Sequence, residues 1–147
     1  MSEFKDAIYS GMEEYLNAIK NLVKDLSPSE TRWQASMESN HIDWLIWHIG
    51  RVEDGWMNRT LSGGEEIWHE QEWNKKFSMN SEGVGFGQNM EDVRGMPNVE
   101  MKMLLGYLDA VRAKSTNVLS ALPLGLVISF VFALLSLNTS PGFLPNG

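Results

Sequence analysis

The fold is decided by residues 40–56, which read NHIDWLIWHIGRVEDGW. At about 100° per residue, the apolar side chains of this stretch fall within one narrow arc, which predicts an amphipathic helix over about residues 39–61. The members of the arc are Ile42, Leu45, Ile49, Val52 and Trp56. Asp54 lies opposite the arc, so we expect its carboxylate to face water. The stretch also holds two of the chain's three histidines and three of its six tryptophans, which a core helix does not require.

Helical periodicity continues on both sides of this stretch. Apolar residues recur at three- and four-residue steps over about residues 2–26, and Ser2 is the expected N-cap. A third long helix is predicted over about residues 98–122, and a shorter helix over about residues 65–77. No segment of the sequence alternates as a strand does. The sequence therefore predicts an all-α protein, an up-down four-helix bundle with an extra short helix.

Two connections separate the long helices. Residues 27–40 are polar, with Trp33 as the expected apolar anchor. Residues 78–97 are glycine-rich and aperiodic, and at about twenty residues this loop exceeds the usual length of a connection. Its GVGFG run is not a phosphate-binding loop, because no strand precedes it and no GK[ST] follows. We expect this loop to need unusual backbone dihedral angles.

Composition excludes several classes of function. The chain has 147 residues, of which 21% are charged and 43% hydrophobic, as expected for one globular domain. Its formal net charge of −7 and its lack of a basic cluster argue against nucleic-acid binding. With no cysteine, a metal would have to be held by histidine, carboxylate or water. The N-terminal MSEFKDAIYS does not resemble a signal peptide, so the expected compartment is the cytoplasm.

The C-terminal segment departs from the amphipathic pattern. None of the 33 residues after Lys114 is Asp, Glu, Lys, Arg or His, and the run LGLVISFVFALLSL is apolar on all sides. Its 14 residues fall short of the roughly 20 that a membrane span needs, so we expect a buried helix rather than a membrane anchor. We predict one domain over residues 1–137 and a disordered tail over residues 138–147.

Three stretches of the sequence resemble the DinB-like superfamily. They are LSPSETRWQASMESNHIDWLIWHIGRVEDGWMNR, then EEIWHEQEWNKKFSM followed by GFGQN, then LLGYLDAVRAKSTNVLSAL. The sequence looks most like the branch that includes thiol-dependent S-transferases and mycothiol-dependent isomerases, and the likeness covers roughly residues 1–122. The resemblance implies a four-helix bundle that is often a homodimer. It also implies a divalent metal, such as zinc or nickel, a low-molecular-weight thiol and a small-molecule substrate.

The resemblance implies one metal ligand in this chain. His48, in WLIWHIGRVEDGW, matches the ligand on the family's second helix, whereas the family's other two ligands stand in an HxxxH on the last helix. That HxxxH has no counterpart, because His69 is the last histidine of the chain. Two alternatives account for the departure: a frameshift or gene error that replaced the native C-terminus, or genuine divergence. We expect a metal-dependent transferase or isomerase with an incomplete metal site or, as the alternative, a catalytically inactive or truncated bundle that acts as an oligomerising or binding protein.

The residues around His48 also have plainer roles. On the flank of an apolar arc, a histidine such as His48 usually makes a structural hydrogen bond. His41 lies about 10.5 Å away along the helix axis, so the two histidines form a poor chelate. We expect His41 at the start of the helix or on the surface. Arg51 follows on the same flank, either as a contact to an anionic substrate or in an ion pair within the bundle.

The last histidine, His69, opens HEQEW. An HExxH zinc motif would need a histidine where Trp73 stands, so the metalloprotease interpretation is excluded. The glutamates around it are expected to be solvated near a helix start: Glu65, Glu66, Glu70 and Glu72. The tryptophans at helical spacing are expected in the core, with their indole N–H groups paired at its rim: Trp44, Trp47, Trp56, Trp68 and Trp73.

Overall fold

Three long helices form the body of the part of the molecule that is described, and short helices occupy the connections. The computed structural model describes residues 2–79 and 83–129. Within them the helices are α1 Glu3–Val23, α2 Pro28–Thr31, α3 Ile42–Glu53, α4 Ile67–Glu70, α5 Trp73–Lys76, α6 Met90–Arg94 and α7 Met101–Ala121. The chain continues from α3 directly into a π-helix, Asp54–Leu61. No strand occurs in these residues, and the predicted all-α fold is confirmed.

Helices α1 and α7 run antiparallel along the bundle. Near one end, Lys20 Nζ lies 2.5 Å from Asp109 Oδ1. Near the other end, Lys5 Nζ donates a hydrogen bond of 2.9 Å to the carbonyl oxygen of Ser120. Because a residue late in α1 meets the middle of α7 and a residue early in α1 meets its end, the two helices point in opposite directions.

Helices α3 and α7 run parallel and approach closely. A Cβ atom on Gly50 would lie 2.8 Å from a ring carbon of Tyr107, so this approach requires glycine. Three residues further along α3, the Glu53 carboxylate accepts hydrogen bonds of 2.8 and 2.9 Å from Arg112. The connection over residues 62–100 therefore carries the chain back along the bundle before α7 begins.

The buried face of α3 differs from the predicted arc. Its buried residues are Asp43, Trp44, Ile46, Trp47, Gly50 and Arg51. Leu45 and Trp56, both predicted to point inward, are 40% and 39% exposed, and Asp54, predicted to face water, is fully buried. The prediction was wrong for these three residues, because periodicity ranks residues by apolarity, whereas Ile42 and Ile49 are partly buried against the core. Here the helix buries large indoles and charged side chains whose partners come from distant parts of the chain.

The connections contain more structure than the sequence predicted. Ser27 and Glu30 form a capping box that starts α2, whereas Trp33, the expected anchor, is 67% exposed. In the glycine-rich loop, the Asn89 side chain accepts hydrogen bonds from the first turn of α6. The predicted short helix is divided into α4 and α5, because Glu72 adopts a left-handed conformation with φ of 56°.

The apolar C-terminal run lies mostly outside the described residues. Residues 124–129 are helical. The predicted helix to residue 137 and the predicted tail over residues 138–147 extend beyond them. Within residues 2–79 and 83–129, none of the helices combines the length and apolarity needed to cross a membrane.

Candidate functional site

His48 lies where α3 meets the glycine-rich loop. Its ring stacks on Trp44 with centroids 4.7 Å apart, and it meets the edge of Phe86 at 5.4 Å. Its Nδ1 atom lies 2.5 Å from the carbonyl oxygen of Val84. Because a carbonyl oxygen only accepts hydrogen bonds, Nδ1 is the ring nitrogen that donates in this contact.

Gly85 makes this contact sterically feasible. Its φ angle is 99°, in the region that favours glycine. A Cβ atom there would lie 2.8 Å from Trp44, 2.9 Å from His48 Nδ1 and 3.1 Å from Trp47. Gly87 also has a positive φ angle, of 77°. The expected need for unusual dihedral angles in this loop is therefore confirmed, and Gly85 explains it by packing as well.

The described residues do not fit the three-ligand metal centre that the family resemblance implies. Among residues 2–79 and 83–129, no group of three or more His, Cys, Asp or Glu side chains converges in a way that would hold a metal ion. Further along the chain, the sequence has no residue of these types after Asp109. Nε2 of His48 can act as a metal ligand, but the described part of the chain supplies no set of further ligands beside it.

His41 is a structural residue at the start of α3. Its Nδ1 atom accepts a hydrogen bond of 3.1 Å from the backbone N–H of Trp44. On the other side of the ring, Nε2 donates to the carbonyl oxygen of Val93 at 3.0 Å. The ring is buried, and this burial lowers the pKa of His41. The prediction of a position at the start of the helix is confirmed, and both ring nitrogens are engaged there.

Arg51 lies inside the bundle with Glu66. Its Nη1 atom is 2.5 Å from Glu66 Oε2, and its guanidinium carbon lies 4.8 Å from the centroid of the Trp68 ring. Arg59 pairs with the second carboxylate oxygen of Glu66 at 2.9 Å. The prediction of a solvated Glu66 was wrong, because two guanidinium groups hold this carboxylate in the interior. For Arg51, the geometry is that of the ion pair named as one alternative, and its role as a substrate contact stays a prediction.

Asp54 joins the π-helix to α4 and α7. Its carboxylate accepts hydrogen bonds of 2.9 Å each from the backbone N–H groups of Ile67 and Trp68. It also accepts hydrogen bonds from Asn58 Nδ2 at 2.8 Å and from the hydroxyl of Tyr107 at 2.9 Å. The two backbone donors belong to the first turn of α4, which has no partners of its own for them. Burial raises the pKa of Tyr107, and the negative charge of Asp54 raises it further.

A cavity of about 460 Å³ opens at the end of the bundle where α1 ends and α3 and α7 begin. Its apolar lining includes Leu26, Val99 and Met101, and its charged lining consists of Arg32, Asp43 and Glu100. Asp43 is only 3% exposed, and its Oδ1 atom has no hydrogen-bond partner among the described residues. Cavities of this volume fall in the range of small-molecule sites, roughly 300–1,000 Å³.

A smaller groove of about 210 Å³ lies beside the His48 loop contact. Its lining includes Trp56, Arg59, Val84 and Phe86. Phe86 is 75% exposed, so the groove is partly open to solvent. Its volume is below the usual range for a ligand site, and we regard it as secondary to the larger cavity.

The sequence did not predict that Arg32 and Asp43 would line a cavity. A charged residue in a polar connection and an acidic residue in the first turn of a helix are both ordinary. The two side chains meet because the connection after α1 closes over the start of α3 and α7. That closure depends on Arg32, which donates hydrogen bonds to the carbonyl oxygens of Met96 and Pro97 at 2.7 and 3.2 Å.

The arrangement defines an all-α bundle with one long connection between its second and third long helices. A model of the DinB superfamily matches residues 12–126, and the chain belongs to this superfamily. A crystal structure of a conserved protein from Enterococcus faecalis is similar, with a TM-score of 0.77 and 17% sequence identity. That likeness covers 85% of this chain and 74% of the other, and at this identity it shows the fold alone. No match is found among curated proteins.

Proposed function

We propose that this member of the DinB superfamily is a small-molecule-binding protein rather than a metal-dependent enzyme. The observation that carries the proposal is the cavity of about 460 Å³ with Asp43 in its wall. A buried carboxylate oxygen that lacks a hydrogen-bond partner destabilises a folded protein, and a bound donor removes that penalty. The surroundings of His48 support the same conclusion, because one imidazole nitrogen is a poor basis for a metal centre.

A second candidate function is thiol-dependent transfer or isomerisation, as in the family branch that the sequence resembles. One observation favours it: His48 donates Nδ1–H to the carbonyl of Val84, so Nε2 is the ring nitrogen that this hydrogen bond does not use. Histidines that bind metals commonly donate their other ring N–H to a carbonyl or carboxylate in this way. In this candidate, His48 would be one ligand of zinc or nickel, Arg51 a substrate contact, and the protein a cytoplasmic homodimer.

Zinc titration separates the two candidates. The full chain, His48→Ala and the matched control His69→Ala would each be titrated with Zn²⁺ and with Ni²⁺ by calorimetry. A binding protein without a metal centre gives no saturable one-to-one site in any of the three. Tight one-to-one binding by the wild type and by His69→Ala that is lost in His48→Ala would overturn the proposed function and favour the second candidate.

A further inference from the structure

We propose that the cavity between α1, α3 and α7 binds a primary ammonium group carried on an apolar body, with Asp43 as its partner. This inference rests on the proposed function and names its class of ligand. The argument starts from Asp43, whose carboxylate is buried in the cavity wall with one oxygen unpaired among the residues described.

The hydrogen-bonding capacity of Asp43 is not filled from within the described part of the bundle. Its Oδ2 atom lies 3.8 Å from Arg32 Nη1, which exceeds the length of a hydrogen bond. The Arg32 guanidinium is instead held by the carbonyl oxygens of Met96 and Pro97. Asp43 can therefore accept hydrogen bonds from a ligand without breaking a hydrogen bond that already exists in this part of the molecule.

The charges in the cavity wall favour a cation over an anion. The charged residues of the lining are two carboxylates, Asp43 and Glu100, and one guanidinium, that of Arg32. A metal cation is a poor fit, because Mg²⁺ and Ca²⁺ take about six to eight oxygen ligands and two carboxylates supply too few. An ammonium group has three N–H donors and is satisfied by a carboxylate together with nearby carbonyl oxygens or water.

The remaining wall favours an apolar body on that ammonium group. Leu26 follows the end of α1, Val99 precedes α7, and Met101 is the first residue of α7. All three contribute apolar side chains to the lining. Burial of an apolar group against such side chains is favourable at roughly 25 cal/mol per Å². The combination of one buried carboxylate and an apolar wall is the complement of an alkyl or arylalkyl amine.

The test is a titration of the ¹⁵N-labelled full chain with benzylamine at neutral pH, followed by two-dimensional NMR. Benzyl alcohol and benzoate are the matched probes, because they keep the ring and replace the ammonium group with a neutral or an anionic one. We expect saturable shifts of the backbone amides of Thr31, Val99 and Met101 with benzylamine and none with benzoate. Benzyl alcohol is expected to bind more weakly than the amine.

Two variants locate the interaction. Asp43→Asn is expected to weaken benzylamine binding by about tenfold to a hundredfold, the range of a charge-assisted hydrogen bond. Glu38→Gln removes one exposed carboxylate elsewhere and is expected to leave the affinity unchanged. Val99→Trp fills the cavity while keeping Asp43, and it is expected to abolish the shifts. Circular dichroism would verify that each variant is folded.

Three results would overturn the inference: no saturable shift in the wild type, equal shifts with benzoate, or equal affinity in Asp43→Asn. If neither Asp43→Asn nor Val99→Trp folds, the comparison of benzylamine with benzoate on the wild type decides it. Failure of the amine titration is distinct from failure of the proposed function. The proposed function fails only if the zinc titration reveals a metal site that depends on His48.

Discussion

Four hydrogen-bond donors hold the Asp54 side chain inside the bundle by pointing at its two oxygens. Two of them are backbone N–H groups of α4, and the others come from Asn58 and Tyr107. Removal of these acceptor oxygens would leave several buried donors unpaired, which destabilises the folded state. Asp54 is therefore a residue on which the packing of the π-helix, α4 and α7 depends.

We predict that Asp54→Asn lowers the free energy of unfolding by about 3 kcal/mol, because the new amide presents N–H groups to donors that need an acceptor. Tyr107→Phe removes only one of the four hydrogen bonds and is expected to cost about 1 kcal/mol. Urea denaturation measures both values. Equal and small losses in the two variants would contradict this role for Asp54.

His41 makes stability depend on pH. Its pKa is lowered by burial, so as the pH falls below the ordinary value of 6.5 the unfolded chain binds a proton before the folded chain does. The contribution of neutral His41 is therefore fully present above this pH, and it is lost as the pH falls through the lower pKa of the folded state.

His41→Asn tests this dependence, because asparagine keeps an acceptor at the N-cap but does not titrate. The free energy of unfolding of the wild type is expected to fall more steeply between about pH 7 and pH 5 than that of the variant. Urea denaturation at several pH values gives both slopes. Parallel slopes would mean that another group causes the pH dependence.

At the scale of elements, the contact between α3 and the glycine-rich loop depends on one glycine. Gly85→Ala would place a methyl group within 3.1 Å of three aromatic rings, in addition to straining a φ angle of 99°. We predict a loss of about 2–3 kcal/mol in the free energy of unfolding and displacement of the loop from His48.

Gly87→Ala is the matched control for Gly85→Ala. Its φ angle is also positive, at 77°, but no atom lies within 4 Å of the added carbon. It is expected to cost only about 1 kcal/mol, the conformational part of the penalty. Denaturation gives the stabilities, and the His48 ring resonances report the loop contact. Equal losses in the two variants would show that the loop is not packed on α3.

The extent of α1 and α7 could be predicted from the sequence, but the orientation of α3 could not. In α7, Leu104, Leu108 and Val111 are buried, because apolar side chains at helical spacing face a core wherever it lies. In α3, by contrast, Arg51 is buried because Glu66 reaches it from a later connection. A local pattern holds no information about a partner fifteen residues away, nor about the π-helix that follows.

At the scale of the whole molecule, the family and the fold class could be predicted from the sequence, whereas the cavity could not. The cavity forms where the connection after α1 packs against the start of α7. No sequence motif predicts this tertiary contact. The metal site was predicted from the resemblance through His48 alone.

Sequencing the 3′ end of the gene tests why the other two ligands are missing. A one-base shift that restores an HxxxH would show that the departure is an error in the gene sequence and not evolutionary divergence.

Metal analysis by mass spectrometry, on protein purified without chelators, tests whether His48 belongs to a metal centre. We expect well below one zinc or nickel per chain in the wild type, and the same low value in His48→Ala. About one metal per chain in the wild type, lost in His48→Ala and retained in His69→Ala, would contradict it.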